Sequence, residues 1–373
     1  MISPPPRSDE SGESDGPDAP GAVAGGATGG TGTGGAPGAT ASTDGTTAPT
    51  ALPILDAGWS VEGMAGRAAL RPEEVDRASR TYWESEAAAY QAEHGAFLGG
   101  AAAATSVGAG GEAPPGPQPV GPGTGFVWGP EGLTEDEARL LGPAAALPGQ
   151  HVLEVGCGAA QCSAWLAARG AHAVGVDISV NQLRHARAPV DREPGDSGST
   201  AEEQPRPGTG SLRLVAATAT ALPFRDAIFD AAFSSYGAIQ FAADLDTLLR
   251  EVRRVLRAGG RWVLSVTHPV RWAFPDDPGA TGLTATGSYF DRRPYVERDA
   301  AGAAVYAEFH RTLGDYVAAL TRAGFTIEEM VEPEWPDWNT RTWGGWSPLR
   351  GAHLPGTLII GCRAGARSST AAD

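Results

Sequence analysis

From residue 150 to residue 362, short apolar runs alternate with stretches of helical periodicity, and this alternation constrains the fold more than any other feature. Residues 151–155 read as a buried strand that ends in Gly156-Cys157-Gly158. Residues 162–169 then read as a helix stopped by Gly170, and residues 173–176 as a second strand ending at Asp177. A helix over 180–187 follows, then strands over 212–216 and 229–234. An amphipathic helix over 245–256, closed by Gly259-Gly260, leads into a strand over 261–266. A helix over 312–323 ending at Gly324, and strands over 325–331 and 357–362, complete the series. Elements of these lengths in alternation predict an α/β fold, a doubly wound and mostly parallel sheet with helices on both faces.

Upstream of that region the pattern changes. Residues 1–58 are mostly Gly, Pro, Ser, Thr, Ala and Asp, a composition that cannot bury enough apolar surface to offset chain entropy, and they are expected to be disordered. Residues 99–125 and 189–210 look alike and are expected to be flexible inserts. A helix over 73–94 carries Tyr82, Trp83 and Tyr90, with Pro72 in its first turn and Glu73 and Glu74 at its positive end. Thr134, with Glu137 three residues on, reads as a capping box that opens a second helix.

Charge and composition exclude several functions. The net charge is −16, and an acidic surface repels phosphate backbones, so nucleic acid is a poor partner. All 28 basic residues are arginines, which removes lysine nucleophiles and Schiff-base chemistry. Cys157, Cys162 and Cys362 form neither a disulfide framework nor a zinc-ligand spacing, so no metal is expected. With no signal-peptide pattern and no apolar run of membrane-spanning length, a soluble cytoplasmic protein that does not engage membranes is expected. The oligomeric state is left open.

In open α/β sheets, ligands sit at the carboxyl ends of the strands where the topology switches. A lone Gly156-x-Gly158 could be no more than a tight turn between strand and helix. A dinucleotide fingerprint would need a third glycine where Gln161 stands. Glu154, two residues before the first glycine, would repel a pyrophosphate but attract the sulfonium and ammonium of S-adenosylmethionine. Asp177, nineteen residues after Gly158, can accept hydrogen bonds from both ribose hydroxyls. Its alternative role is to cap the helix that follows.

These blocks resemble the class I S-adenosylmethionine-dependent methyltransferase family over roughly residues 82–363. Val152-Leu-Glu-Val-Gly-Cys-Gly158 is similar to its first motif and Val176-Asp-Ile-Ser179 to its second. Ala221-Leu-Pro-Phe224, Phe229-Asp230 and Glu251-Val-Arg-Arg-Val-Leu-Arg-Ala-Gly-Gly260 are similar to later ones. The resemblance implies a Rossmann-like sheet of seven strands with the last antiparallel. It implies that Glu154, Gly156, Cys157 and Gly158, with Val155, Ala159 and Ala160 in the same turn, hold the methionine part of the cofactor. Asp177 would take the ribose, Ile178 an adenine face, and Ala219 with Thr218 the adenine edge, while Ser234 would line the site. Thr218 stands where the family often has Asp, and Ala160 replaces a common glycine. The resemblance divides the chain into an N-terminal helical lid over 59–130, a cofactor-binding core over 131–268, and a substrate-side cap with the last strands over 269–363.

Methyl transfer is an in-line displacement that needs alignment and exclusion of water more than a fixed catalytic signature. His268, just beyond the fifth strand, is the candidate base, unless it only braces the turn before Pro269. Tyr236 is similarly placed after the fourth strand, and His310 and Arg311 read as structural. Trp272, Phe274, Tyr289, Phe290, Trp335, Trp338, Trp343 and Trp346 either close a cap or line an apolar pocket. Tyr82, Trp83 and Tyr90 are equally lid or core. Arg250, Arg253, Arg254 and Arg257 read as a solvated face paired with acids. The strand ending Ser234-Ser-Tyr-Gly237 lacks the Asn/Asp-Pro-Pro-aromatic run of enzymes that methylate amino groups of DNA and protein. The sequence therefore favours a small, apolar or aromatic metabolite as acceptor. RNA or protein methylation, or a non-catalytic S-adenosylmethionine-binding module, are the alternatives.

Overall fold

The computed structural model describes residues 65–95, 125–187 and 210–366; the tail over 1–58 and nearly all of both inserts lie outside the described residues. Strand β1 (Ala65–Arg67) precedes α1 (Pro72–His94), in whose first turn the Glu74 carboxylate accepts the Arg71 backbone N–H at 3.1 Å. The capping box at Thr134 forms, but α2 (Glu135–Ala138) is a single turn, because Arg139 adopts a left-handed conformation with φ 53° and ends it.

The alternating series follows: β2 (His151–Val155), α3 (Gln161–Ala168), β3 (His172–Asp177), α4 (Val180–Arg187), β4 (Ser211–Ala216), β5 (Phe229–Ser235), α5 (Leu245–Val255) and β6 (Leu256–Thr267). After β7 (Tyr295–Arg298) and β8 (Ala304–Glu308) come α6 (Leu313–Arg322), β9 (Phe325–Val331), α7 (Pro348–Gly351) and β10 (Thr357–Ala364). The main sheet has seven strands in the order β4-β3-β2-β5-β6-β10-β9, and β10 alone runs against the direction of the other six. β2 pairs with both β3 and β5, so the winding direction reverses on either side of it.

Each face of the sheet is covered by apolar side chains at helical spacing. Leu248, Leu249, Val252 and Val255 of α5 are fully buried on one face, with Trp262 and Leu264 of β6 beneath them. Trp165 and Leu166 of α3 cover the other, together with Phe126 and Trp128. β6 starts earlier than the glycines suggest. Phe229 pairs with Leu256 while Ala231 pairs with Arg261, so Gly259-Gly260 form an excursion inside the strand, helped by φ +74° at Gly259.

A second sheet, β1-β7-β8, is not foreseen by the sequence pattern. Its strands have only three to five residues, β7 and β8 forming a short local hairpin while β1 joins from far away in sequence, Ala65 pairing with Glu297, so no long periodic run announces it. α1 is fixed to the core. Its Glu84 carboxylate accepts the backbone N–H groups of Val180 and Asn181 at 2.8 and 3.0 Å, capping α4 from outside. Ser179 Oγ donates to Trp83 O and Asn181 Nδ2 to Glu84 O.

Candidate functional site

At the carboxyl ends of β2, β3 and β5, where the winding reverses, lies a cavity of about 400 Å³. Gly156, at φ +75°, turns the chain out of β2, and a Cβ there would sit 2.5 Å from the backbone nitrogen of Ala238. Only glycine meets both demands. Gly158, at φ +52°, is different: nothing lies within 3.7 Å of the position a Cβ would take, so its backbone is open to a ligand. Asp177 joins the two strand tips, Oδ2 accepting Gly158 N and Oδ1 accepting Ser179 N, both at 2.8 Å. Helix capping falls to other groups, since Ser179 Oγ accepts Gln182 N at 3.1 Å and Glu84 takes the two preceding amides.

Charge defines what the cavity can hold. Among the described residues its walls carry four carboxylates, Asp76, Glu154, Asp177 and Asp244, and no basic side chain. A pyrophosphate would find no basic side chain to neutralise it there, whereas a cation with hydroxyl groups would be drawn in. Glu154 is buried, and its Oε2 accepts both Ser163 N at 2.9 Å and Ser163 Oγ. Burial pushes its carboxyl up to about 8, against the two Ser163 bonds and with a smaller push from Asp177. Burial also raises Asp177, opposed by the amides it accepts. Two carboxyls held up by desolvation, beside an open glycine backbone, fit the sulfonium, ammonium and ribose of S-adenosylmethionine.

Of the residues singled out from sequence, Glu154, Gly156, Cys157, Gly158, Ala159, Asp177, Ile178, Thr218, Ala219 and Tyr236 line this cavity. Val155, Ala160 and Ser234 do not. Val155 and Ala160 are buried in apolar clusters, and Ala160 takes the left-handed turn into α3 at φ +56°. Ser234 is fully buried in β5, and alternation along the strand gives its expected place to Ser235. His268 is also outside. Its Nδ1 accepts Val270 N at 3.1 Å and its Nε2 pairs with Glu332 at 2.8 Å, so it braces the turn before Pro269 and has no nitrogen left for a substrate. The arginines read as one solvated face are paired with acids, Arg254 of α5 with Glu251 and Asp226, but Arg257 lies past the helix end in β6, where it pairs with Asp230.

Of the aromatic residues that the sequence left between lid or pocket and plain packing, Trp83, Tyr90 and Trp343 reach the cavity. Trp83 and Tyr90 of α1 line it with Phe241 and Trp343, Trp83 meeting Tyr90 and Phe241 edge-on at 5.5 and 5.3 Å. Tyr82 packs instead on Tyr306. Trp343 is the one of the eight C-terminal aromatics that reaches the cavity; Phe290 and Trp338 are exposed. Three amides from three helices meet at one end, Gln161 Nε2 donating to Gln91 Oε1 at 2.9 Å and Gln91 Nε2 to Gln182 Oε1 at 3.0 Å. Only Gln161, next to the glycine turn, carried a positional hint.

Among the described residues no helix is long and apolar enough to cross a membrane, and no group of metal-binding side chains is found. The methyltransferase domain family matches residues 153–264. A demethylmenaquinone methyltransferase of Streptomyces avermitilis is 35% identical over 129 residues, covering 34% of this chain and 47% of that one. An O-methyltransferase of Penicillium expansum, cnsE, is 32% identical over 150 residues, covering 39% of this chain and 47% of its own length. The chain thus spans about half the length of these curated relatives. A solved S-adenosylmethionine-dependent methyltransferase from Mesorhizobium loti is 26% identical, with TM-score 0.47, covering 63% of this chain and 100% of that one. The stretch that this family matches, residues 153–264, runs from β2 to β6 and carries the glycine turn and Asp177.

Proposed function

We propose that the protein transfers a methyl group from S-adenosylmethionine to a small, apolar or aromatic acceptor. The observation that carries this reading is the continuity of one cavity from the acidic glycine turn to the aromatic wall of Trp83, Tyr90, Phe241 and Trp343. Bound there, the cofactor would supply an activated methyl group. Asp177 would hold its ribose, Glu154 and the 156–159 turn its methionine end, and Ile178, Thr218 and Ala219 its adenine. The aromatic rings would orient the acceptor and keep water from the reacting centre. α1, stapled to the 177–181 loop, would form the wall that separates the site from solvent.

Both curated relatives are named for small-molecule methylation or O-methylation, which agrees with this reading. Three free cysteines agree with work in the cytoplasm. Incubation with radiolabelled cofactor and a cell extract tests the proposal. Label recovered in the organic phase is the expected result. Label in the protein or RNA precipitate would replace it with macromolecular methylation, and no transfer at all would replace it with a cofactor-binding module.

A further inference from the structure

Tyr236 is held in an unusual way. It follows β5 with φ +54°, a left-handed conformation that a bulky side chain rarely adopts and that structure must impose. Two hydrogen bonds impose it: Tyr236 N donates to Ser265 O at 3.1 Å, and Gln240 Nε2 donates to Tyr236 O at 3.2 Å. The result sets the phenol ring in the cavity wall, in the same cavity as Trp83 and Phe241.

The phenol oxygen is already an acceptor, since Thr267 Oγ1 donates to it at 3.2 Å. Thr267 lies directly across the strand pair from Thr357, whose hydroxyl donates to the buried Glu131 carboxylate at 2.6 Å. Among the described residues no hydrogen bond runs from the Tyr236 hydroxyl to a protein acceptor, so its own proton is available to a ligand. Burial raises the phenol, with Glu131 and Glu308 adding and the Thr267 bond and Arg271 opposing, so the group stays protonated at neutral pH. A desolvated donor without a partner costs about 1–3 kcal/mol, which a ligand oxygen would offset.

Resting on the reading of this cavity as a methyl-transfer site, we propose that Tyr236 selects the acceptor by donating its phenolic proton to a ring-borne oxygen. The acceptor is then an aromatic or quinonoid compound with a keto or phenolate-type oxygen. A protonated amine in the same place would set donor against donor.

α-Tetralone and tetralin test this, because both are bicyclic and nearly equal in shape but only the first has a carbonyl. S-adenosylhomocysteine is first titrated into wild-type and Tyr236→Phe protein by calorimetry. Each probe is then titrated into the saturated proteins, read by tryptophan fluorescence from Trp83 and Trp343. The expected result is that wild type prefers α-tetralone, and that the ratio of the two affinities falls about tenfold in Tyr236→Phe, the scale of one buried hydrogen bond. Equal ratios in the two proteins, or no binding of α-tetralone to wild type, overturn the proposal while leaving the cofactor reading intact. Failure of S-adenosylhomocysteine to bind removes both.

Discussion

The two ends of the cavity are built by different means. At the end proposed for the cofactor, nearly consecutive residues do most of the work: β2, a glycine turn and α3, then β3 and Asp177, all within 151–177, with Thr218 and Ala219 joining from beyond β4. At the acceptor end, Trp83, Val127, Tyr236, Phe241 and Trp343 come from segments spread over more than half the chain. Local geometry fixes the first, so a substitution there acts on backbone and charge. Tertiary assembly fixes the second, and changes there alter shape and single hydrogen bonds.

The largest difference is expected at the two glycines. Gly156→Ala would meet both a left-handed φ and the Ala238 backbone, and should destabilise the fold by about 2–5 kcal/mol in denaturant melts. Gly158→Ala meets only the φ penalty and should cost about 1–2 kcal/mol. Equal losses would break the distinction between a packed glycine and an open one.

Charge at the cofactor end gives the next effect. The Glu154 carboxyl, pushed up to about 8, holds its proton at neutral pH in the free protein, and a cationic ligand favours its ionised form. Binding should therefore release a proton. Affinity for S-adenosylmethionine should be full above pH about 8 and fall by up to about tenfold for each pH unit below that. Glu154→Gln should flatten the profile. Calorimetry in buffers of different ionisation enthalpy measures the proton directly, and a flat wild-type profile would remove Glu154 from contact with the ligand's charge. The smallest effect belongs to Thr218→Ala. The Thr218 hydroxyl already pairs with Thr220 Oγ1 at 2.9 Å, so cofactor affinity should change by at most about 1 kcal/mol.

The same contrast explains what could be read beforehand. The seven-stranded sheet, the glycine turn and Asp177 were legible because strand–turn–helix units carry their periodicity and punctuation in contiguous residues. His268 was misread because a strand-end position says nothing of partners, and Glu332, which engages it, lies 64 residues away. Ser234 was misread by one step of strand alternation, which sets Ser235 toward the cavity instead. The Gln91–Gln161–Gln182 amides and the wall of Trp83 and Trp343 exist only once α1 and the C-terminal loop have docked, and no window of sequence contains them.

The central claim is that one carboxylate and one glycine turn at adjoining strand tips recognise the cofactor's nucleoside. Calorimetric titration of S-adenosylhomocysteine into wild-type and Asp177→Ala protein tests it most directly. A single site in wild type, weakened by about 1–3 kcal/mol in the variant as charge-assisted hydrogen bonds are lost, is the predicted result. No heat in wild type, or the same affinity in both proteins, would contradict it.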